Sequence, residues 1–276
     1  TSMILSLDNL GFSADNLSKF RSLLTRPNGI VLVTGPTGSG KTTTLYAGLN
    51  EMKSIGRNIT TVENPVEYKL ELVNQVQVVA ERGLTFAAAL RAILRQDPNV
   101  VLIGEIRDSE TGTIATEAAL TGHLVLSTMH TNDAVGAIPR MINLGVESSW
   151  VGASVIGVLA QRLVRRLCSR CNDEYEPDAA RLEAAGLMHL PPGITLFKAR
   201  GCSSCNGIGY KGRLAIHEVL TISEQMRDLI TGEVTTTKLR TLALEGGFRE
   251  MYFDGVQKAL AGITSLEEVQ RVTRRI

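Results

Sequence analysis

The stretch Gly35-Pro-Thr-Gly-Ser-Gly-Lys41-Thr42 constrains the fold of this 276-residue chain more than any other. It fits the pattern G-x-x-x-x-G-K-[ST], in which glycines let successive backbone N–H groups point at phosphate oxygens beside a helix N-terminus. A dinucleotide fingerprint needs a different glycine spacing and no Lys-Thr pair. A glycine-rich turn without function is the other alternative. The apolar run at 30–34 and the helix-compatible segment after the motif favour nucleoside-triphosphate binding.

The same loop predicts which residues hold the nucleotide. Lys41 is expected to reach the β- and γ-phosphates, and Thr42 is expected to hold Mg²⁺. The predicted nucleotide contacts in the loop are Gly35, Pro36, Thr37, Gly38, Ser39, Gly40, Lys41, Thr42 and Thr43.

Short β-branched runs alternate with helical patterns over the first 166 residues, which predicts an α/β fold with a mostly parallel sheet. Strands are predicted at 30–34, 59–63, 73–78, 100–103 and 124–128, and helices after residue 40 and at 85–96, 109–120 and 134–144. Ligands of such sheets bind at the carboxyl ends of the strands. We therefore expect the P-loop, Glu63, Glu105 and residues 129–131 to line one edge.

The stretch VLIGEIRD at 101–108 ends a predicted strand in a cluster of charge. A solvent-exposed strand end would explain this pattern. However, a P-loop needs an acidic partner on a neighbouring strand, which organises magnesium or orients the attacking water. Glu105 is placed for that role.

All four cysteines fall in two C-x-x-C pairs, formed by Cys168 with Cys171 and by Cys202 with Cys205. Four thiolates suit a closed tetrahedral Zn²⁺ site, which is structural because no position stays open for water. Disulfides are the first alternative and are disfavoured by a cytoplasmic location. Buried free cysteines or a redox pair are the second, although a lone redox pair would not explain two C-x-x-C pairs.

Net charge and aromatic content argue against nucleic acid as a partner. The net charge is +1, from 29 basic and 28 acidic residues, and aromatic residues make up 4% of the chain. No stretch has the length of an uncharged membrane span, and the first residues do not resemble a signal peptide, so we expect a cytoplasmic protein. The chain starts with Thr1 rather than methionine, and we expect it to be a fragment of a longer protein.

Residues 148–167 are apolar at helical spacing and are predicted to form a helix that ends in Gln161, Arg162, Arg165 and Arg166. The basic cluster either complements the helix C-terminus or binds a phosphate or partner, and both interpretations stay open. Trp150 is expected to anchor a core or an interface. After His217 the chain is predicted to be helical again, with a capping box at 265–268 starting the last helix.

Two of the four histidines bracket one predicted strand. His123 precedes it and His130 follows it at the expected nucleotide edge, where a histidine can sense the γ-phosphate, although spacing alone does not decide this. His189 and His217 are expected to be ordinary surface or core residues.

Five segments occur in an order that resembles the secretion ATPase superfamily, which drives type II secretion and type IV pilus assembly. They are GPTGSGKTTTLY, TTVENPVEY, LRQDPNVVLIGEIRD, TGHLVLSTMHTNDA and AQRLVRRLC. The resemblance implies a RecA-like core, a hexameric ATP-hydrolysing motor, preceding N-terminal domains, and an inner-membrane platform protein as partner. The two C-x-x-C pairs resemble those of the secretion and pilus-extension branches, which favours assembly over pilus retraction.

The resemblance also implies catalytic roles. Glu105 would polarise or deprotonate the attacking water, Lys41 would hold phosphate, and Glu63 would be a second carboxylate acting through magnesium or its waters. Gly104 stands where many P-loop enzymes have a metal-binding aspartate. Removal of a general base typically slows a reaction by about 10²–10⁴-fold.

The sequence departs from the family pattern at Asn64 and Asn99, where aspartate is usual. Asparagine keeps the size and hydrogen bonding of aspartate but loses its charge, so no charge-dependent role is carried over. Arg91, Arg95 and Arg107 flank these boxes and could stabilise phosphate charge. The alternative for each arginine, and the favoured one for Arg107, is a salt bridge to Asp97, Asp108 or Glu110.

These inferences divide the chain into a RecA-like ATPase core at 1–166, a tetracysteine zinc-binding subdomain at 167–217 and a C-terminal helical subdomain at 218–276. The predicted function is an ATP-hydrolysing cytoplasmic motor, peripheral to the inner membrane through its partners, that powers assembly of a type IV pilus or a type II secretion pseudopilus. Its predicted cofactors are ATP, Mg²⁺ and Zn²⁺. The alternatives are a RecA-type nucleic-acid motor and a slow nucleotide-dependent switch. The motifs do not distinguish secretion, pilus assembly and DNA uptake.

Overall fold

The computed structural model describes residues 6–232 and 234–273. The α-helices are α1 (Ala14–Leu24), α2 (Lys41–Met52), α3 (Phe86–Ile93), α4 (Ser109–Leu120), α5 (Ala137–Asn143), α6 (Ser148–Ser154), α7 (Ala179–Ala184), α8 (Glu224–Thr231), α9 (Thr236–Glu245), α10 (Met251–Leu260) and α11 (Leu266–Thr273). The strands are β1 (Gly29–Thr34), β2 (Ile59–Glu63), β3 (Asn74–Gln77), β4 (Val100–Ile103), β5 (Leu124–Met129), β6 (Val155–Leu167), β7 (Asn172–Tyr175), β8 (Leu196–Ala199) and β9 (Tyr210–Thr221).

Seven of these strands form one sheet in the order β3-β2-β4-β5-β1-β6-β9. The pairings from β3 across to β6 are all parallel. Every residue of β1, β2, β4 and β5 is buried, as expected for parallel strands covered on both faces. The predicted α/β fold with a mostly parallel sheet is therefore confirmed.

Internal contacts divide the chain into two compact units. The first comprises Thr1–Gln161 and Glu218–Phe248, and the second comprises Arg162–His217 and Arg249–Ile276. The three segments predicted from the sequence group the residues differently, because 218–248 belong to the first unit and 249–276 to the second. The division into domains at 1–166, 167–217 and 218–276 therefore stays a prediction.

Each unit has its own apolar core. In the first, side chains from α1 and α2 pack with the central strands, including Phe20, Leu45, Tyr46, Val33 and Leu126. In the second, residues of β8 and the last two helices form a smaller cluster, which includes Leu196, Val256, Ala259, Leu266 and Val269.

The predicted helix at 148–167 is wrong over most of its length. Helix α6 ends at Ser154, and residues 155–167 form β6, which pairs in parallel with β1. A strand buried on both faces is apolar at nearly every position, so its pattern resembles that of a buried helix. Trp150 lies on α6 and is half-buried.

The basic cluster consequently does not complement a helix C-terminus. Arg165 lies on β6, where its guanidinium pairs with Glu268 at 2.8 Å and stacks over the Tyr210 ring at 4.1 Å. Half of the predicted capping box is present, because the Glu268 N–H donates to Ser265 Oγ at 3.2 Å. The Glu268 carboxylate instead binds Arg165 and Arg271.

The chain does not return to helix directly after His217. That residue is fully buried inside β9, and helix resumes at Glu224. The predicted helix at 134–144 begins at Ala137, because residues 131–136 form a turn in which Asp133 Oδ1 accepts the Gly136 N–H at 2.8 Å.

Among the residues that the structure describes, no helix is both long enough and apolar enough to cross a membrane.

Candidate functional site

The P-loop joins β1 to α2, and its glycines adopt backbone angles that other residues rarely reach. Gly35, Gly38 and Gly40 have φ values of +147°, +77° and +88°. A Cβ atom on Gly35 would lie 2.4 Å from the carbonyl oxygen of Gln161, so a larger residue there would displace β6. The local geometry is therefore that of a loop whose backbone can approach a ligand closely.

Lys41 is the first residue of α2, and its ammonium group lies over the loop. Nζ donates to the carbonyl oxygens of Gly35 and Pro36 at 3.0 and 3.1 Å. Burial lowers the pKa of Lys41, and the negative charge of Glu105 opposes that shift. Lys41 and Glu105 thus interact electrostatically at the carboxyl edge of the sheet.

Glu105 follows β4, and His130 follows β5, which lies between β4 and β1 in the sheet. The Glu105 carboxylate is 13% exposed, pairs with the Arg107 guanidinium, and lies 3.7 Å from His130 Nε2. The strand order therefore brings the predicted residues Glu105 and His130 together beside the P-loop strand. The predicted role of His130 as a γ-phosphate sensor stays a prediction.

Glu63 ends β2 in a different environment. Its carboxylate is 3% exposed and accepts hydrogen bonds from Tyr46 OH, from Thr61 Oγ1 at 2.5 Å and from Gln75 Nε2 at 3.3 Å. Burial raises the pKa of Tyr46, and the hydrogen bond to Glu63 adds to this shift. Within the part of the chain that the structure describes, no hydrogen bond or ion pair joins Glu63 to Lys41 or Glu105. Its predicted catalytic role stays a prediction.

Gly104 lies close to the backbone of β2, which leaves little room for a side chain. A Cβ atom there would lie 3.3 Å from the Val62 carbonyl oxygen and 3.4 Å from Glu63 Cα. An aspartate at this position would therefore press on β2. Asn99 lies at the other end of β4, where its Oδ1 accepts the Asn58 N–H at 2.7 Å, a contact that needs no negative charge.

Arg91 and Arg107 both form ion pairs, as the salt-bridge alternative expects. Arg91 pairs with Glu110 at 2.7 Å, as the salt-bridge alternative predicts. Arg107 pairs with Glu105 rather than with Asp97, Asp108 or Glu110, so the partner predicted for it is wrong. Asp108 instead caps α4, accepting the Thr111 N–H at 2.8 Å, because a carboxylate before a helix satisfies its first free N–H groups.

Gln161 is a site residue whose role the sequence analysis missed. It is 1% exposed on β6, donates from Nε2 to the Ser39 carbonyl oxygen at 2.7 Å, and accepts from Thr44 Oγ1 at 2.8 Å. One amide therefore holds both the P-loop and the start of α2. The available signal was an uncharged polar residue inside an apolar run, which in a buried strand requires hydrogen-bond partners.

The four cysteines form a second candidate site, in the second unit. Their sulfur atoms all lie within 4.8 Å of one another, and three of the separations are 4.0, 3.6 and 3.8 Å. A tetrahedron with metal–sulfur bonds of about 2.3 Å has sulfur–sulfur edges of roughly 3.8 Å. A disulfide requires about 2.05 Å. The cluster therefore has the dimensions of a tetrahedral metal site.

The environment of the thiols also fits a cation. Burial alone would raise the pKa of Cys205, but N–H groups of Cys202 and Gly209 donate to its sulfur and lower the pKa to about 6. Burial and then the neighbouring Cys202 thiol raise the pKa of Cys171 to about 12. Four thiolates this close repel each other, so full ionisation needs a bound cation.

Solved structures share this fold. The crystal structure of the pilus retraction motor PilT with bound ADP matches with a TM-score of 0.74 and 28% identity, covering 100% of this chain and 68% of that one. The ATPase DotB of Legionella pneumophila matches with a TM-score of 0.70 and 24% identity, covering 97% of this chain and 64% of that one.

Curated relatives are more similar in sequence. The type II secretion system ATPase E of Vibrio cholerae is 50% identical over 272 residues, which are 98% of this chain and 53% of that protein. The type IV pilus assembly ATPase PilB of Thermus thermophilus is 48% identical over 264 residues, which are 95% of this chain and 30% of that protein. The chain thus spans about half the length, or less, of these relatives. The family model described as "Type II/IV secretion system protein" matches residues 1–271, and the chain belongs to that family.

Proposed function

We propose that this chain is the ATP-hydrolysing part of a motor that assembles a type IV pilus or a type II secretion pseudopilus. The observation that carries the proposal is the position of Glu105, 3.7 Å from His130 and in electrostatic contact with Lys41, at the sheet edge where the P-loop begins. The relatives named as secretion and pilus assembly ATPases support the same activity.

In the proposed reaction, the backbone N–H groups of Gly35 and of residues 37–43, together with the Lys41 ammonium, bind the β- and γ-phosphates of ATP. Thr42 would hold Mg²⁺, which would neutralise charge on the phosphate oxygens when bound. Glu105 orients the attacking water and accepts its proton, and His130 lies beside it toward the P-loop strand. Glu63 accepts a hydrogen bond from Tyr46 of α2. In this proposal Glu63 also acts as a second carboxylate, through magnesium or its waters.

The proposal includes one structural zinc ion per chain, held by Cys168, Cys171, Cys202 and Cys205. The sulfur separations and the lowered pKa of Cys205 support this assignment. A closed set of four thiolates leaves no position for a reacting water, so zinc would supply stability rather than catalysis.

Several further properties belong to the proposal. We infer a hexameric ring in the full-length protein, a cytoplasmic location at the inner membrane and a platform protein as partner. The four-cysteine cluster, together with relatives named for secretion and pilus assembly at 48% and 50% identity, supports assembly rather than retraction.

The test is Mg-ATP hydrolysis per chain, measured as a function of protein concentration. A ring motor completes its site across subunits, so specific activity should rise with concentration. A low and flat rate that persists in the full-length protein would replace the motor with the switch alternative. Stimulation by single-stranded or double-stranded DNA would instead support the nucleic-acid motor.

A further inference from the structure

The loop after β5, residues 130–136, lies between the two halves of the nucleotide site and is called the His130 loop below. His130 lies 3.7 Å from the Glu105 carboxylate. The loop leaves the sheet from β5, whose neighbours β4 and β1 lead to Glu105 and to the P-loop. A shift of this loop would therefore change the distance between His130 and Glu105.

One side of the His130 loop is attached to the P-loop strand. Thr34 is the last residue of β1, is fully buried, and immediately precedes Gly35. Its Oγ1 accepts the Thr131 N–H at 2.9 Å and lies 2.7 Å from Thr131 Oγ1. Thr131 in turn donates to the Asp133 carbonyl oxygen at 2.8 Å.

The other side of the loop is attached to residues 218–248, which belong to the same compact unit. Arg240 of α9 donates to Asp133 Oδ2 at 2.7 Å, and the two side chains are 17% and 29% exposed. Glu218 of β9 is 2% exposed, and its Oε1 accepts the Ala134 N–H at 2.6 Å. Both contacts are charge-assisted hydrogen bonds, which are shorter and stronger than neutral ones.

Asp133 has two separate functions in this arrangement. Its Oδ1 closes the turn through the Gly136 N–H at 2.8 Å, a contact confined to the loop. Its Oδ2 binds α9, which is more than one hundred residues away in the sequence. The turn needs only the first contact, so the second serves to fix the loop against α9.

We propose that Arg240 and Glu218 are positioning residues for the His130 loop, so that residues 218–248 control how well His130 is placed against Glu105. This inference rests on the proposed hydrolysis of ATP at that site. In this proposal Arg240 and Glu218 act on the nucleotide site through their contacts with the loop. A displacement of α9 by a neighbouring subunit or partner would change the hydrolysis rate without altering the P-loop.

The test is a double-mutant cycle on the full chain with Arg240→Gln, Asp133→Asn and the double variant. Each single variant is expected to lower kcat for Mg-ATP about 10-fold with KM within about 2-fold, because a misplaced catalytic group affects the reacting geometry more than binding. The double variant should be no slower than the slower of the two single variants, because each single variant already removes the same contact between Arg240 and Asp133.

The matched control is Lys238→Gln, the same loss of charge on the exposed face of α9 two residues away. Hydrogen–deuterium exchange supplies a readout that does not depend on hydrolysis. The Thr131 and Ala134 amides should exchange faster in Arg240→Gln than in the parent or the control. Arg240→Lys keeps the positive charge and is the second variant to use if Arg240→Gln lowers the melting temperature. In Arg240→Lys the Thr131 and Ala134 amides should exchange as slowly as in the parent.

The outcomes separate this inference from the proposed function. Unchanged kcat and unchanged exchange of residues 130–136 in Arg240→Gln would overturn the inference. An additive double variant would also overturn it. The proposed function would be overturned if the parent chain did not hydrolyse Mg-ATP and if Mg-ATP did not slow hydrogen–deuterium exchange in its P-loop. Exchange of residues 130–136 would still test the contact between Arg240 and Asp133.

Discussion

The two compact units hold their key residues in opposite ways. In the first unit, Lys41, Glu105 and His130 project from the carboxyl edge of a sheet whose core is complete without them. In the second unit, Cys168, Cys171 and Cys205 are buried and form a cluster of their own. We therefore expect that residues at the edge can be replaced with little loss of stability, and that the thiols contribute to the stability of the second unit.

The units also differ in how they bury charge. In the second unit, Lys258 is 8% exposed and pairs with Asp254 at 2.5 Å, and Glu268 is 1% exposed between two arginines. A unit with a small apolar core depends more on such contacts, because area burial alone contributes less. The experiments below test this difference between chemistry in the first unit and stability in the second.

Metal removal should have the largest effect. We expect about one zinc per chain by elemental analysis after purification without chelators, and chelation should unfold the second unit, because structural zinc in small peptides contributes roughly 10–16 kcal/mol. Thermal unfolding with and without chelator measures the loss. Cys171→Ser should reproduce it, whereas Ser169→Ala, beside the cluster on an exposed residue, should not. Absence of zinc in the purified chain would contradict this assignment.

Glu105→Gln should slow ATP hydrolysis about 10²–10⁴-fold with nucleotide affinity nearly unchanged, because the amide keeps the shape but cannot accept a proton. The measurement is kcat together with the Kd for a fluorescent ATP analogue. The control is Glu110→Gln, the same change on an exposed residue paired with Arg91. Hydrolysis at the parent rate in Glu105→Gln would remove Glu105 from the mechanism.

Acid should weaken the second unit through Glu268. Burial alone would raise the pKa of this carboxyl, but hydrogen bonds from Arg271 and Arg165 lower it to about 2, from an ordinary 4.5. Its stabilising contribution is therefore complete above pH 4.5 and is lost as pH falls toward 2. Because both arginines are partly exposed, we expect about 1–3 kcal/mol.

Urea unfolding of the parent and of Glu268→Gln between pH 7 and pH 3 measures that contribution. The difference in unfolding free energy between the two should shrink as pH falls. Glu267→Gln, a neighbouring residue whose side chain is half exposed, is the control and should show no such convergence. A constant difference across this pH range would show that Glu268 is not ionised in the way described.

Gln161→Leu should have the smallest effect, a loss of nucleotide affinity of about 5–10-fold, because the Ser39 carbonyl and the Thr44 hydroxyl lose their partner. The Kd for a fluorescent ATP analogue measures it. Gln225→Leu, at an exposed position of α8, is the control. An unchanged Kd would mean that the loop holds its shape without the amide.

Local rules of the sequence were sufficient for the P-loop and for most of the sheet. The glycine pattern before Lys41 specifies backbone angles, and the apolar runs at 30–34, 59–63, 100–103 and 124–128 are buried strands with nearly the same boundaries. The clustering of the four cysteines was equally readable from their two C-x-x-C pairs. The P-loop glycines, the apolar runs and each C-x-x-C pair are formed by residues that are close in the sequence, so local patterns are enough to predict them.

Only the tertiary structure decided which distant residues meet. The strand order places β5 between β4 and β1, which brings His130 to Glu105 and leaves Glu63 with Tyr46 instead. Residues 155–167 form β6 rather than the predicted helix. A strand buried on both faces is apolar at nearly every position, so the hydrophobic pattern does not distinguish it from a buried helix. The amide of Gln161 and the ion pair of Arg240 with Asp133 depend on the same long-range packing, which no local pattern encodes.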